Sequence, residues 1–215
     1  MSDEDLVIDV VTDDCMSEVQ SLSSFKPATE DEIRKLVLSS KSKTCSLDVI
    51  LTFLIKECIE ELAPTITALS NSSLQASIIP PTLKYAIITP AVKKPSADCN
   101  ELSNFKQVFN LPYVSKVLEK AVINRLHEHK IENGLFEPLQ SAYHPRHSTE
   151  TALITVQNNT LRAIDSTDKQ CTCVFRMLFD LLTAVDTIAN SILLDQMITK
   201  CGVVSSAYKW LTSYF

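Results

Sequence analysis

The chain has 215 residues, long enough to bury a core, and 45% hydrophobic residues spread without any apolar run of the roughly 18 residues a membrane span needs. Its net charge of −6 argues against a nucleic-acid partner only until it is split by position. Residues 1–32 hold ten acidic side chains and one lysine, which leaves 16 acidic and 19 basic residues, a net of +3, in residues 33–215.

The first 25 residues read as an acidic, disordered tail, because a Ser- and Asp-rich stretch buries too little apolar surface to offset its ordering entropy. No basic region followed by an apolar core marks a signal peptide, so the expected compartment is the cytosol or nucleus. Residues 26–215 form the expected folded part. Thr29 and Glu32 have capping-box spacing ahead of Ile33, Leu36 and Val37, predicting a helix from Thr29. A second helix is expected over 50–62, and Pro64 suits the first turn of a third that reaches residue 76 before Pro80 and Pro81. Residues 85–92 have strand composition interrupted by Pro90, which predicts an edge or bulged strand; Lys93, Lys94 and Pro95 then open a loop.

Val114, Val117, Leu118, Ala121, Val122 and Leu126 recur at three and four residues and predict a long helix that closes near Gly134. Ser148 or Thr149 should cap the next helix, which fades near Asp165. Residues 171–179 are almost continuously apolar, the pattern of a strand covered on both faces, and deliver Asp180 at its end. Two short helices, 191–200 and 206 to the end, flank Cys201 and Gly202. The seven cysteines lack the paired spacing of zinc modules and read as reduced thiols. His127, His129, His144 and His147 do not fit a metal site either, since His127 and His129 point to different helix faces. With only two glycines there is no clustered phosphate loop.

Five stretches in order resemble one family: SLD with FLIKE at 46–57; LKYAIITPAVKKP at 83–95; NFKQVFNLPYVSKVLEKAVINRL at 104–126; GLFEPLQSAYHPRHSTETAL at 134–153; and FDLLTAVDTI at 179–188. As a constellation they resemble the reverse transcriptase domain of non-LTR, LINE-type retrotransposons. The resemblance implies an α+β partial polymerase right-hand fold, with a helical fingers region, the first palm strands and no thumb. It implies RNA-directed DNA polymerase chemistry, in which a primer 3′-hydroxyl attacks a nucleoside triphosphate between two Mg²⁺ ions. RNA template and DNA primer are the partners it implies.

Residue by residue, Asp180 matches a metal-binding catalytic aspartate of the family. Asp186 matches a further family aspartate, but its expected work is to cap the turn at Thr187. Val185 stands where the family has a phenylalanine against the ribose, so sugar discrimination should be weak. Lys106 and Gln107 replace arginine and proline in a fingers element that approaches the incoming triphosphate; lysine keeps the charge and loses the bidentate fork. His144 replaces an arginine. Lys93, Lys94 and Arg146 are candidate phosphate contacts.

The family's second acidic element, with adjacent aspartates, has no counterpart in these residues. One carboxylate does not hold two metal ions, so stable Mg²⁺ binding and polymerase activity are not expected of the chain alone. The alternative is a co-opted module that binds RNA or protein. An uncovered strand at 171–179 would leave Val174, Phe175, Met177, Leu178 and Phe179 bare, at roughly 1.5–3 kcal/mol each, and predicts self-association or aggregation through its edge.

Overall fold

A computed structural model describes residues 19–96, 98–137, 140–142, 146–165 and 188–215. The expected strand at 171–179, together with Asp180, Val185, Asp186 and His144, lies outside the described residues, as do residues 1–18 of the acidic tail.

Helix α1 (Glu30–Ser39) starts where the capping signal placed it, with Thr29 Oγ1 accepting the Glu32 N–H at 3.2 Å. The Glu32 carboxylate, which a complete capping box would turn back to the Thr29 N–H, is instead gripped by Arg125 of a later helix at 2.8 and 2.9 Å. A tertiary ion pair has replaced half of a local motif.

The next two helices are divided differently from the sequence expectation. Helix α2 (Thr52–Glu57) ends at Cys58, and α3 (Ile59–Ala76) carries Pro64 well inside it. A proline there removes the bond to the carbonyl four residues back. Pro64 and Glu60 are both exposed, on the face away from buried Ile59, Ala63, Ile66 and Ser70. Helix α3 closes on Ser77, which takes the left-handed conformation (φ 57°) usually left to glycine, and Pro81 opens the short α4 (Pro81–Lys84).

Strand β1 (Ile87–Val92) pairs antiparallel with β2 (Phe105–Asn110), in register from Ile87 opposite Asn110 to Val92 opposite Phe105. Pro90 sits opposite Gln107 with no extra residue on either strand, so β1 is an edge strand without a bulge. The local pattern predicted no strand at β2, because FKQVFN lacks a period-two alternation; its partner strand defines it. The chain is thus α+β, with helices dominant and one two-stranded antiparallel sheet among the described residues.

Helix α5 (Tyr113–Glu132) runs between two clusters of buried residues and serves both. Val117 joins Ile33, Val37, Ile55 and Ile59 on one side. Leu118 and Val122 join Phe25, Leu74, Val203 and Trp210 on the other. Gly134 follows with φ 62°, the closure the sequence predicted. Helix α6 (Thr149–Asp165) is capped by Ser148, whose Oγ accepts the Thr151 N–H at 3.3 Å. Helices α7 (Asn190–Thr199) and α8 (Ser205–Tyr214) pack on each other, and α8 packs on α3.

Residues 19–25, inside the stretch assigned to the tail, dock on this C-terminal pair. Leu22 forms a parallel bridge with Val203, donating to the Gly202 carbonyl at 2.9 Å and accepting the Val204 N–H at 3.0 Å. Phe25 is buried against Trp210 with ring centroids 5.7 Å apart. Leu22 and Phe25 supply apolar anchors that composition averaged over the tail conceals.

Gly202 makes the docking possible. Its φ is 64°, and a Cβ there would stand 3.2 Å from Val19 Cγ1 and 3.3 Å from the Gln20 carbonyl. Gly202→Ala is expected to cost about 1–2 kcal/mol for the left-handed backbone alone, plus the displacement of residues 19–20. Gly134→Ala, at φ 62° with no atom within 4 Å of the added carbon, carries the backbone cost only. Thermal unfolding of the two variants compares them directly; equal losses would mean that the N-terminal segment does not press on Gly202.

Candidate nucleic-acid interface

The β1–β2 ribbon positions three of the candidate phosphate contacts. Register puts Lys106 opposite Ala91, two residues before Lys93. Lys93 extends the ladder by donating its N–H to Asn104 at 2.8 Å. Lys93 and Lys106 are thereby diagonal neighbours, a relation in which residues sit about 7–8 Å apart. The Lys93 ammonium is tied to the Ser103 carbonyl at 2.8 Å, and Lys94 follows on the turn. The same turn carries Asp98, whose carboxylate accepts from Asn100 at 2.9 and 3.0 Å, and Glu101. Three lysines against two carboxylates leave the ribbon's loop end only weakly positive.

Arg146 belongs elsewhere, to the turn that leads into α6, where its φ is 66°. No hydrogen bond or ion pair among the described residues joins it to the ribbon. Asp180 and Val185, the expected metal ligand and sugar-side residue, lie outside the described residues. Among the described residues no group of three or more His, Cys, Asp or Glu side chains is placed to hold a metal ion. Among the described residues, Cys45, Cys58 and Cys201 are thiols outside any disulfide.

A second basic group escaped the sequence reading. Lys41 and Lys43 follow α1, and Lys116 and Lys120 lie one turn apart on α5. All four border a cavity of about 410 Å³ whose wall includes Tyr113 and Val117. Nothing in the linear sequence joins the two lysine pairs; only the packing of α1 against α5 does so.

Two polar residues on α5 and one at its C-terminal cap that resemble candidate chemistry are structural. Arg125, His129 and Asn133 stand at four-residue spacing on one face. Arg125 is buried, forms the bidentate pair with Glu32, and also donates to the carbonyls of Lys26, Pro27 and Ala121. His129 Nε2 lies 2.7 Å from the Cys201 carbonyl. A carbonyl only accepts, so Nε2 carries the proton and Nδ1 accepts from Asn133 Nδ2 at 3.2 Å. Asn133 Oδ1 in turn accepts the Gln20 N–H at 2.8 Å, which fixes the orientation of its amide. The stripe ties residues 20–27 and the α7–α8 connection to α5.

No helix among the described residues is long and apolar enough to cross a membrane. In comparisons with known proteins, no family model matches the chain, and no curated protein matches it significantly.

Proposed function

We propose that the chain is the fingers and start-of-palm portion of a LINE-type reverse transcriptase domain, inactive as a polymerase by itself. The observation that carries this reading is the order of the five matched stretches, two of which, 83–95 and 104–126, form one continuous unit. In that unit β1 and β2 make a ribbon with Lys93, Lys94 and Lys106 at its loop end, and α5 follows directly. Such a ribbon suits a fingers element that lies over phosphates, since its lysines stand on exposed backbone.

Inactivity follows from ligand count. Asp180 is the one matched metal-binding aspartate, and no adjacent aspartate pair occurs after it in the 215 residues. Two divalent ions bridged at a phosphoryl centre require several hard oxygen ligands from separate elements. Primer extension on an RNA template with a DNA primer and Mg²⁺ tests this with the purified chain. The expected result is no incorporation above background, unchanged by Asp180→Ala. Template-dependent incorporation that disappears in Asp180→Ala would overturn it.

A second reading, a module of the same ancestry that binds RNA, is favoured by the four lysines around the α1–α5 cavity. Phosphate contacts release counterions, so this reading requires RNA affinity that falls steeply with salt.

A further inference from the structure

Lysines near the end of a helix commonly complement its free carbonyls. At the end of α1 that work is already done by other groups. The Ser40 and Tyr113 hydroxyls meet each other over the Val37 carbonyl, to which they lie at 2.7 and 3.0 Å. The Lys56 ammonium covers the carbonyls of Leu38 and Ser40. Lys41, Lys43, Lys116 and Lys120 are therefore left over around the cavity, and none of them takes part in an ion pair among the described residues.

The nearby acidic groups are turned to other partners. Asp48 accepts the N–H groups of Tyr113 and Cys45 at 2.5 and 2.6 Å. Glu119 feels the charge of Lys116, but its hydrogen bond goes to the Tyr214 hydroxyl at 2.7 Å. Burial raises the Tyr113 hydroxyl above the ordinary tyrosine range, so the cavity wall adds no negative charge of its own. Four lysines border one concavity, and a multivalent anion would complement their combined charge.

We propose that this cavity binds a ligand carrying two or more closely spaced phosphates, held by Lys41, Lys43, Lys116 and Lys120. Ammonium groups on flexible stems suit phosphate as point charges, and two pairs, one following α1 and one on α5, offer contacts to more than one phosphate. A polynucleotide strand and a small polyphosphate share this chemistry. The site takes Lys41 and Lys43 from outside the stretches that carry the resemblance and Lys116 and Lys120 from within one of them, and it needs no polymerase activity.

Binding of three probes to the full chain decides it: inorganic tripolyphosphate, ATP, and a fluorescent single-stranded RNA. At about 50 mM salt at least one probe should bind saturably, and Lys41→Gln with Lys43→Gln should weaken that binding about tenfold or more. Lys35→Gln with Lys200→Gln, exposed lysines that do not line the cavity, should change it less than about twofold. Lys116→Glu gives an independent reversal from the helix side, with circular dichroism confirming that each variant folds.

Binding of RNA alone would identify a strand as the ligand, and on the order of fifty-fold weakening for a fourfold rise in salt would match four contacts. Binding of tripolyphosphate or ATP without RNA would identify a small polyphosphate. Binding of both classes would support the shared phosphate chemistry. Failure of all three probes, or equal losses from the Lys35/Lys200 and cavity variants, would overturn the proposal.

Discussion

Arg125→Met is expected to lower the stability of the chain by about 3–5 kcal/mol, the range for breaking a buried ion pair by removing one partner. Arg125 is 7% exposed, and its guanidinium binds both oxygens of Glu32 at 2.8 and 2.9 Å. It also caps the carbonyls of Lys26 and Pro27, so one side chain joins α1, α5 and the segment leading into α1. Methionine keeps much of the packing and supplies none of the donors, leaving those carbonyls and a half-buried carboxylate unpaired. Pairing Arg125→Met with Glu32→Leu separates the two contributions. The double variant should recover part of the loss, because the stranded carboxylate is gone, while the carbonyls of Lys26 and Pro27 remain uncapped. Urea unfolding measures both; a loss below about 1 kcal/mol for Arg125→Met would mean that water already serves these groups.

Trp210→Ala is expected to cost about 3–5 kcal/mol, the range for deleting a large aromatic side chain from a core. Trp210 is 2% exposed and sits at the centre of the cluster where the N-terminal segment, α3, α5 and α8 meet. Phe25 packs edge-on against it, and Tyr214 stacks at 5.8 Å with an interplanar angle of 9°. Its indole N–H donates to Ser73 Oγ at 3.1 Å, and Ser73 passes its own proton to the Ile78 carbonyl at 2.7 Å. Trp210→Phe should be milder, about 1–2 kcal/mol, since Ser73 keeps its acceptor and only the indole N–H bond and some contact area are lost. Loss of Trp210 should also release the N-terminal segment, seen as faster proteolysis near residues 19–25 in Trp210→Ala than in wild type. Equal destabilisation by Ala and Phe would contradict the central packing role.

The contrast between the two basic sites follows from how each is assembled. Lys93 and Lys94 are adjacent in the chain, and each is singled out by the resemblance, while Lys106 joins them across a twelve-residue connection over 93–104 because β2 pairs with β1. The cavity lysines come from a loop and a helix that are far apart in sequence. Charge along the sequence marked neither pair as unusual, and their meeting at one cavity is a property of the packed helices.

By itself the sequence determined what depends on near neighbours. Thr29 as a cap, a cap at Ser148 or Thr149, the three-and-four spacing in α5, and glycines in left-handed turns at 134 and 202 are each set by backbone and side-chain geometry within one or two turns. The tertiary structure alone decided the rest. It diverted Glu32 from its cap to Arg125, drew Leu22 and Phe25 out of an acidic stretch into the core, made FKQVFN a strand by giving it a partner, and set two distant lysine pairs around one cavity. Each of these contacts joins groups far apart along the chain, so its energy appears only when helices and strands pack, and no local pattern encodes it.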